Sequence, residues 1–358
     1  MKSPHRFGIV GAGVIAVTHA RAIAGLPNAE LAAVTDVGAD AADRFAGQYG
    51  CAAEPGLDAL LARDDIDVVS VCVPSGLHAA IGARAAAAGK HLVVEKPIDV
   101  TLPAADELIE AASSAGVRLT VVSQHRFDPG LIELSALLRS GRLGPLLLGE
   151  ASTKWYRSQA YYDSDAWRGT RALDGGSLMN QGIHYVDLLL AAMGPVAEVT
   201  ARTVTQSHQI ESEDTALALL KFRSGALGTI VSSTSVYPGF PQRLEITGTC
   251  GTIVVTDGQI TERALTPVQP GNTAQPGNPG QAAAGASTPD IGVASHAAQL
   301  ADLLAAIDEG REPSVTAADG RAALEVVLAV YESARAGRTI ALPLPMGTAS
   351  TTTGAGRQ

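Results

Sequence analysis

Short β-branched runs alternate with alanine-rich stretches of helical period from Phe7 to about Val122. Strands are predicted over Arg6–Val10, Glu30–Thr35, Val68–Val73, His91–Val94 and Arg118–Val122. Helices are predicted over Val14–Gly25, Ala39–Tyr49, Leu57–Ala62, His78–Ala88 and Pro103–Ala115, several of them closed by glycine, as at Gly25, Gly89 and Gly116. This alternation builds a doubly wound α/β domain, a parallel sheet with crossover helices. After Gly144 the pattern changes to longer strand-like runs: Leu146–Trp155, Val196–Thr205, Thr215–Phe222, Ala226–Ser235, Arg243–Thr247 and Thr252–Thr256. Turn signals such as Ser224-Gly225 and Thr249-Cys250-Gly251 separate them, the signature of a mostly antiparallel sheet. Two helices accompany it, one over Ser177–Met193 that stops at Gly194-Pro195 and one over Ala317–Ala336. The expected division is an α/β domain over 1–125 and an α+β domain over 126–345. A Pro-, Gly-, Ala-, Gln- and Asn-rich stretch over 266–292 reads as a loop or disordered insertion, and 346–358 as a disordered tail.

Composition narrows the function. With 358 residues, 46% of them hydrophobic and 17% charged, the chain can bury about two cores and is not a disordered protein. A net charge of −10 would repel phosphate backbones and anionic lipid, so neither nucleic acid nor a membrane surface is an expected partner. No secretion signal is visible before the first strand, and apolar runs such as Val186–Met193 fall short of the ~20 residues of a spanning helix. Cys51, Cys72 and Cys250 are too few and scattered for a disulfide framework, which fits a reducing cytoplasm. No grouping of His, Cys and carboxylates has a metal-ligand spacing along the chain, so no metal is expected.

The first strand runs directly into Gly11-Ala12-Gly13-Val14-Ile15-Ala16 and then a helix, a dinucleotide-binding fingerprint with alanine in its third small position. Gly11 would make the tight turn, and Gly13 would let a pyrophosphate approach the backbone beside Val14 and Ile15. Ala16 would let the helix pack on the strand. Asp36 ends the second strand, where a carboxylate accepts hydrogen bonds from the adenosine ribose and repels a 2′-phosphate. The first arginine in that region is Arg44, so NAD is expected and NADP is disfavoured.

Pro74-Ser75-Gly76-Leu77-His78 and Glu95-Lys96-Pro97 follow two further buried strands, at the strand ends where parallel sheets hold ligands. Lys96 is one of only five lysines in the chain, against twenty-one arginines. With the fingerprint, the Val-Pro-Ser-x-x-His turn and Glu-Lys-Pro in this order, the sequence resembles the glucose–fructose oxidoreductase, inositol dehydrogenase and rhizopine catabolism (Gfo/Idh/MocA) family from about Arg6 to Leu342. The resemblance implies that Lys96 touches both the nicotinamide ribose and the reacting hydroxyl, and that Pro74, His78 and Glu95 contact the cofactor. In Asn180-Gln181-Gly182-Ile183-His184-Tyr185-Val186-Asp187, the family pattern Asp-x-x-x-His is met at His184, the implied proton-transfer residue. It is broken at Asn180, which cannot hold charge or take a proton. Loss of that carboxylate would lower the Lys96 pKa. Asp187 shares the helix face and reads either as a site residue or as one half of a salt bridge.

Before that helix, Trp155, Tyr156, Tyr161, Tyr162 and Trp167 gather five of the fourteen aromatics, interleaved with Arg157, Arg168 and Arg171. Aromatic faces stack on sugars or bases, and guanidinium forks bind carboxylates or phosphates. Tyr156, Arg157, Arg126, Asn180 and Trp167 are therefore substrate candidates along with Lys96 and His184. Trp167, Arg168 and Gln124 are candidate cofactor contacts, the first two by resemblance. The expected activity is NAD-dependent hydride transfer at a secondary hydroxyl of a sugar, cyclitol or nucleotide sugar. A redox-neutral NAD-dependent glycosidase and a non-catalytic NAD-binding regulator stay open as alternatives. Small polar residues on one face of Ala226–Ser235 suggest a sheet face buried between subunits, in a homodimer or homotetramer.

Overall fold

The computed structural model of the chain describes residues 3–266 and 292–345. The expected insertion over 266–292 lies almost wholly outside these residues, and the expected tail over 346–358 wholly outside them. The first half folds as β1 (His5–Val10), α1 (Val14–Ala24), β2 (Ala29–Thr35), α2 (Ala39–Tyr49), β3 (Ala52–Ala53) and α3 (Leu57–Leu61). It continues through β4 (Val68–Val71), α4 (His78–Ala87), β5 (His91–Val94), α5 (Leu102–Ala115) and β6 (Leu119–Val121). The six strands form one parallel sheet in the order β3-β2-β1-β4-β5-β6. Strands β4 and β5 are buried on both faces, which is why Val68–Val71 and Leu92–Val94 read as nearly unbroken apolar runs. Strand order reverses between β1 and β4, and the crevice at that reversal is where such sheets hold ligands. The turn leaving β1 requires glycine: Gly11 has φ +96°, and a Cβ there would stand 2.4 Å from the Cys72 carbonyl oxygen.

The second half contains α6 (Pro129–Arg139), β7 (Leu146–Lys154), α7 (Gln159–Asp163), α8 (Ile183–Met193), β8 (Val196–Val204), β9 (Thr215–Phe222) and β10 (Leu227–Ser233). Then come β11 (Arg243–Gly248), β12 (Gly251–Thr256), β13 (Gln259–Leu265), α9 (Val293–Glu309), α10 (Ala317–Ala336) and β14 (Ile340–Ala341). Eight strands lie in the order β13-β12-β11-β7-β10-β9-β8-β14, with every pair antiparallel except β7 and β10. Helices α8 and α10 cover one face, burying Tyr185, Leu188, Leu324 and Val327 against strand residues such as Val199, Phe222 and Ile246. Among the described residues no helix is long and apolar enough to cross a membrane.

The uncovered face carries more than the expected small polar residues. Ser232, Ser233 and Thr234 are buried, whereas Leu148, Leu217, Leu219 and Leu227 stand exposed on neighbouring strands. The pairings Leu227↔Leu148, Val231↔Leu217 and Thr229↔Leu219 put these leucines on one side of the sheet. That face mixes these leucines with Thr229 and Ser152, while Ser232 and Thr234 turn inward.

Besides the short β3, α7 and β14, three longer elements escape the sequence pattern. Helix α6 opens on Pro129-Gly130, which reads as a turn although proline is well suited to a first helical turn. Strand β13 is an edge strand with nearly every residue exposed, so it carries no alternation. Helix α9 follows the Pro/Gly-rich stretch, and it crosses back to the first sheet: Leu300, Leu303 and Leu304 pack with Phe7, Ile9 and Ile23. Residues assigned to the second domain thereby complete the core of the first. The buried Gln299 joins the two by hydrogen bonds, accepting from the Ser123 N–H at 3.0 Å and donating to the Val121 carbonyl at 2.8 Å and to Thr120 Oγ1 at 3.0 Å. Replacing it by leucine keeps the volume and strands these buried groups, each costing about 1–3 kcal/mol. Gln299→Leu is expected to destabilise the protein by about 2–4 kcal/mol in urea unfolding, where an ordinary conservative change costs less than ~1.5 kcal/mol.

Candidate functional site

The N-terminus of α1 is built to receive an anion. Its cap is Gly13, with no side chain bonded to the first-turn N–H groups, and a Cβ at Gly13 would meet no atom within 4 Å. Val14 is exposed and Ile15 half-buried beside it. Asp36 closes the far side of the turn, its carboxylate accepting from the Ala12 and Gly38 N–H groups, both at 2.8 Å. These bonds fix the carboxylate at the end of β2 and leave each oxygen a further lone pair for a ribose hydroxyl. The buried Gln124, on the turn after β6, has an Oε1 with no partner. An open glycine cap, a fixed carboxylate and an unpartnered amide oxygen fit a dinucleotide lying along the C-terminal edge of the sheet.

Two expected cofactor contacts are bonded within the protein. The buried His78 lies between the Pro97 carbonyl, 2.6 Å from Nδ1, and the Val73 carbonyl, 2.9 Å from Nε2, and its neutral ring donates its one N–H to one of them. Burial pushes its pKa down. The ring ties the Pro74 turn to the Lys96-Pro97 turn. Glu95 is buried as well: Oε1 accepts from His19 Nε2 at 2.9 Å, and Oε2 from the Lys96 backbone N–H at 3.1 Å. Burial opposes both charges, yet the pairing prevails, holding the Glu95 carboxyl down while Cys72 and Glu95 raise His19. His296 of α9 stands third in this cluster, its Nε2 at 4.0 Å from Glu95 Oε1 and without a hydrogen-bond partner. The donor atoms of His19, Glu95 and His296 lie within 4.8 Å of one another, a ligand-type grouping that spacing along the chain does not reveal.

Lys96 and His184 line one recess between the two sheets, with Ile183 and Asp187. Lys96 Nζ donates to the Asn180 carbonyl at 2.7 Å and to its Oδ1 at 3.4 Å. Asn180 lies not in regular helix but in a π-helical turn over Ser177–Gly182 that leads into α8, a widening often found at functional sites. Burial lowers the Lys96 pKa, Glu95 and Asp174 oppose that, and Arg157 adds to it. Burial, then the positive Lys96, push the His184 pKa well below its ordinary value, so the imidazole is neutral near pH 7 and competent to accept a proton. Its ring meets His125 edge-on at 5.2 Å.

Asp187 belongs to a salt bridge, and so does Arg126. The guanidinium holds Asp187 at 2.7 and 2.5 Å and reaches Asp319 of α10 at 3.3 Å, which joins the turn after β6 to α8 and α10 and leaves Arg126 committed to protein carboxylates. Arg168 stacks at 4.5 Å over both Tyr161 and Trp167, and Arg157 lies over Trp155 and Tyr161 with its Nε buried and unpartnered. Gln181 reaches Tyr161 and the Asn180 Oδ1, connecting this aromatic–arginine layer to the lysine. Tyr156 stands apart, edge-on to Tyr237 at 5.2 Å, because successive residues of an extended segment point to opposite sides.

Two buried carboxyls went unread in the sequence. Asp174 directly precedes Gly175-Gly176 and is bonded to Asn180; a carboxylate before a glycine pair at a helix entrance was the available signal. Glu213 accepts the Leu178 N–H at 2.7 Å and the Tyr331 hydroxyl at 3.1 Å, holding the start of the π turn. Gly176 is required here, since a Cβ would stand 1.9 Å from Glu213 Oε2.

Comparison with known proteins gives this geometry a context. A family model described as an oxidoreductase family with an NAD-binding Rossmann fold matches residues 5–123, and one described as the GFO/IDH/MocA C-terminal domain matches 131–254. The chain is 29% identical to an inositol 2-dehydrogenase of Rhizobium meliloti over 94% of its own length and 99% of that protein. It is 31% identical to a myo-inositol 2-dehydrogenase of Thermotoga maritima over 74% and 79% of the two chains. Among solved structures, the WlbA dehydrogenase of Bordetella pertussis in complex with NADH and UDP-GlcNAcA superposes with a TM-score of 0.84 at 33% identity, covering 96% of this chain and 100% of that one.

Burial, with Asp214 beside it, raises the Glu213 pKa from 4.5 to about 7. The folded state therefore binds this proton more tightly than the unfolded chain, and the associated stability, complete below pH 4.5, is lost as pH rises to about 7. The loss is roughly 3 kcal/mol. Glu213→Gln removes it: between pH 4.5 and 8 the stability difference from wild type is expected to move in favour of the variant by roughly that amount in urea unfolding.

Proposed function

The chain belongs to the Gfo/Idh/MocA family of NAD-binding oxidoreductases, and from that premise we propose that it transfers hydride between NAD and a secondary hydroxyl or ketone of a sugar, cyclitol or nucleotide sugar. The observation that carries this reading is the pairing of Lys96 with a neutral His184 in one recess at the C-terminal edge of the parallel sheet. When bound, the nicotinamide supplies the hydride acceptor or donor. In oxidation, His184 takes the hydroxyl proton. Lys96 has three N–H donors, two directed at Asn180, and the third is free for the oxygen that becomes an alkoxide. Asn180 thus aims the ammonium, and Gln124, Asp36 and the Gly11–Ile15 turn are the cofactor contacts.

A nucleotide sugar is the substrate class best supported. The UDP-GlcNAcA-bound WlbA dehydrogenase is similar over nearly the whole of both chains. Here Arg157, stacked on Trp155 and Tyr161 with its Nε unpartnered, offers a guanidinium and aromatic faces near the lysine, as a phosphorylated sugar would require, and Arg168, paired with Asp165, steadies Tyr161 and Trp167. We also assign the exposed Leu148, Leu217, Leu219 and Leu227 face to a homo-oligomer interface.

A panel of sugars, inositols and sugar nucleotides followed by NADH absorbance tests the reaction. On the substrate found, Lys96→Ala and His184→Ala are expected to lower kcat by ~100-fold or more, with NADH affinity nearly unchanged for His184→Ala. Wild-type turnover in His184→Ala would sink the mechanism. Calorimetry should show NADH binding at least ~10-fold tighter than NADPH, about 1.4 kcal/mol, from the Asp36 carboxylate. Light scattering at micromolar concentration is expected to give a dimer or tetramer, and a clean monomer would remove the interface assignment.

A further inference from the structure

An amide side chain has one accepting and one donating end of nearly the same shape, so nothing within Asn180 decides which end faces Lys96. Its surroundings decide. The Asn180 Nδ2 donates to Asp174 Oδ1, while Asp174 Oδ2 accepts from the Gly169 N–H at 2.6 Å. Asp174 is buried, 1% exposed, in a turn closed by the Asp174 and Gly175 N–H groups on the Thr170 carbonyl. The donor end of Asn180 is thus claimed, and Oδ1 faces Lys96 Nζ at 3.4 Å and Gln181 Nε2 at 3.1 Å. With the amide reversed, its NH2 would face an ammonium and another amide NH2, and its oxygen would face a carboxylate. All three contacts would be repulsive.

We propose that Asp174 is the positioning residue of this site: it locks the Asn180 amide with its oxygen toward Lys96 and supplies, one side chain removed, the negative charge that position 180 lacks. The charged groups acting on Lys96 are Glu95, Asp174 and Arg157, with a neutral His184 across the recess. Glu95 is tied to His19 on the far side, so Asp174 is the carboxylate that reaches the lysine through the substrate-side residue. The proposal rests on the reading of Lys96 as the catalytic lysine.

The test measures the lysine itself. Trace acetylation of the NADH-bound protein across a pH series, read by peptide mass spectrometry, gives the Lys96 titration midpoint without any turnover. Asp174→Asn is expected to lower that midpoint by about one pH unit and to reduce kcat/KM by ~10-fold or more with a displaced pH profile. Asn180→Asp sets two carboxylates side by side, and the Lys96 midpoint should rise as the pair's charge increases. The double variant Asp174→Asn with Asn180→Asp exchanges the two groups, and should return the midpoint and most of the activity toward wild type. If Asp174→Asn leaves the midpoint in place, or the double variant is no better than Asp174→Asn alone, the proposal falls. Should Asp174→Asn fail to fold, an unmoved midpoint in Asn180→Asp overturns it equally. The expected midpoint shifts in a protein that oxidises no alcohol of the panel would support the placement of Asp174 and overturn the dehydrogenase reading instead.

Discussion

The hydrogen bond from Lys96 to Asn180 spans two separately built layers, and the site exists only while it can form. One partner ends a strand of the parallel sheet, and the other sits in a π-helical turn that introduces a helix of the antiparallel sheet. Such a bond tolerates only a few tenths of an ångström of misfit, so the layers must be fixed against each other by other means. The molecule has several. Arg126 grips Asp187 and Asp319, Gln299 ties α9 to the β6 strand and to Ser123 beyond it, and the Gly76 N–H meets the Leu173 carbonyl. All are polar contacts made in buried or half-buried surroundings, where a displaced partner leaves an unsatisfied group. They resist sliding more sharply than apolar packing, which is nearly indifferent to small shifts.

Charge in the site is distributed so that each group keeps the protonation state its role requires. Glu95 stays ionised because His19 and the Lys96 backbone N–H bond to it, and Lys96 carries its charge against burial with carboxylates on two sides. That same ammonium, together with desolvation, keeps His184 neutral. A cation and a neutral base therefore share one recess, an arrangement suited to moving a proton off an alcohol while the remaining oxygen is held. Of the residues read in the sequence as site candidates, His78, Glu95 and Arg126 also fix turns and helices behind this order.

Much of this was legible along the chain because it depends on local periodicity. The strands and helices of the first half, the glycine fingerprint, Asp36, and the Lys96 and His184 motifs all lie within short windows where apolar spacing or turn chemistry is explicit. The elements that were missed lack such signals. Helix α6 begins with residues that also make turns, β13 is an exposed edge, and α9 follows a stretch whose composition has no period. The leucines on and beside Ala226–Ser235 were hidden for a different reason: alternation shows that two faces differ but not which one the helices will cover.

What the sequence determined by itself is the class of fold, the dinucleotide fingerprint and the motifs that carry Lys96 and His184, since each motif lies within about one turn or strand. Only the tertiary structure decided that α9 returns to the first sheet, that His19 and His296 meet Glu95, and that Arg126 is spent on Asp187. Likewise Asn180 departs from the family pattern as a letter, but whether the site lost a carboxylate is a question about space. Asp174, six residues earlier, fills that role because a turn closed on Thr170 and a widened helical turn bring the two side chains together. Electrostatic effects depend on distance and burial, and neither is encoded in sequence separation.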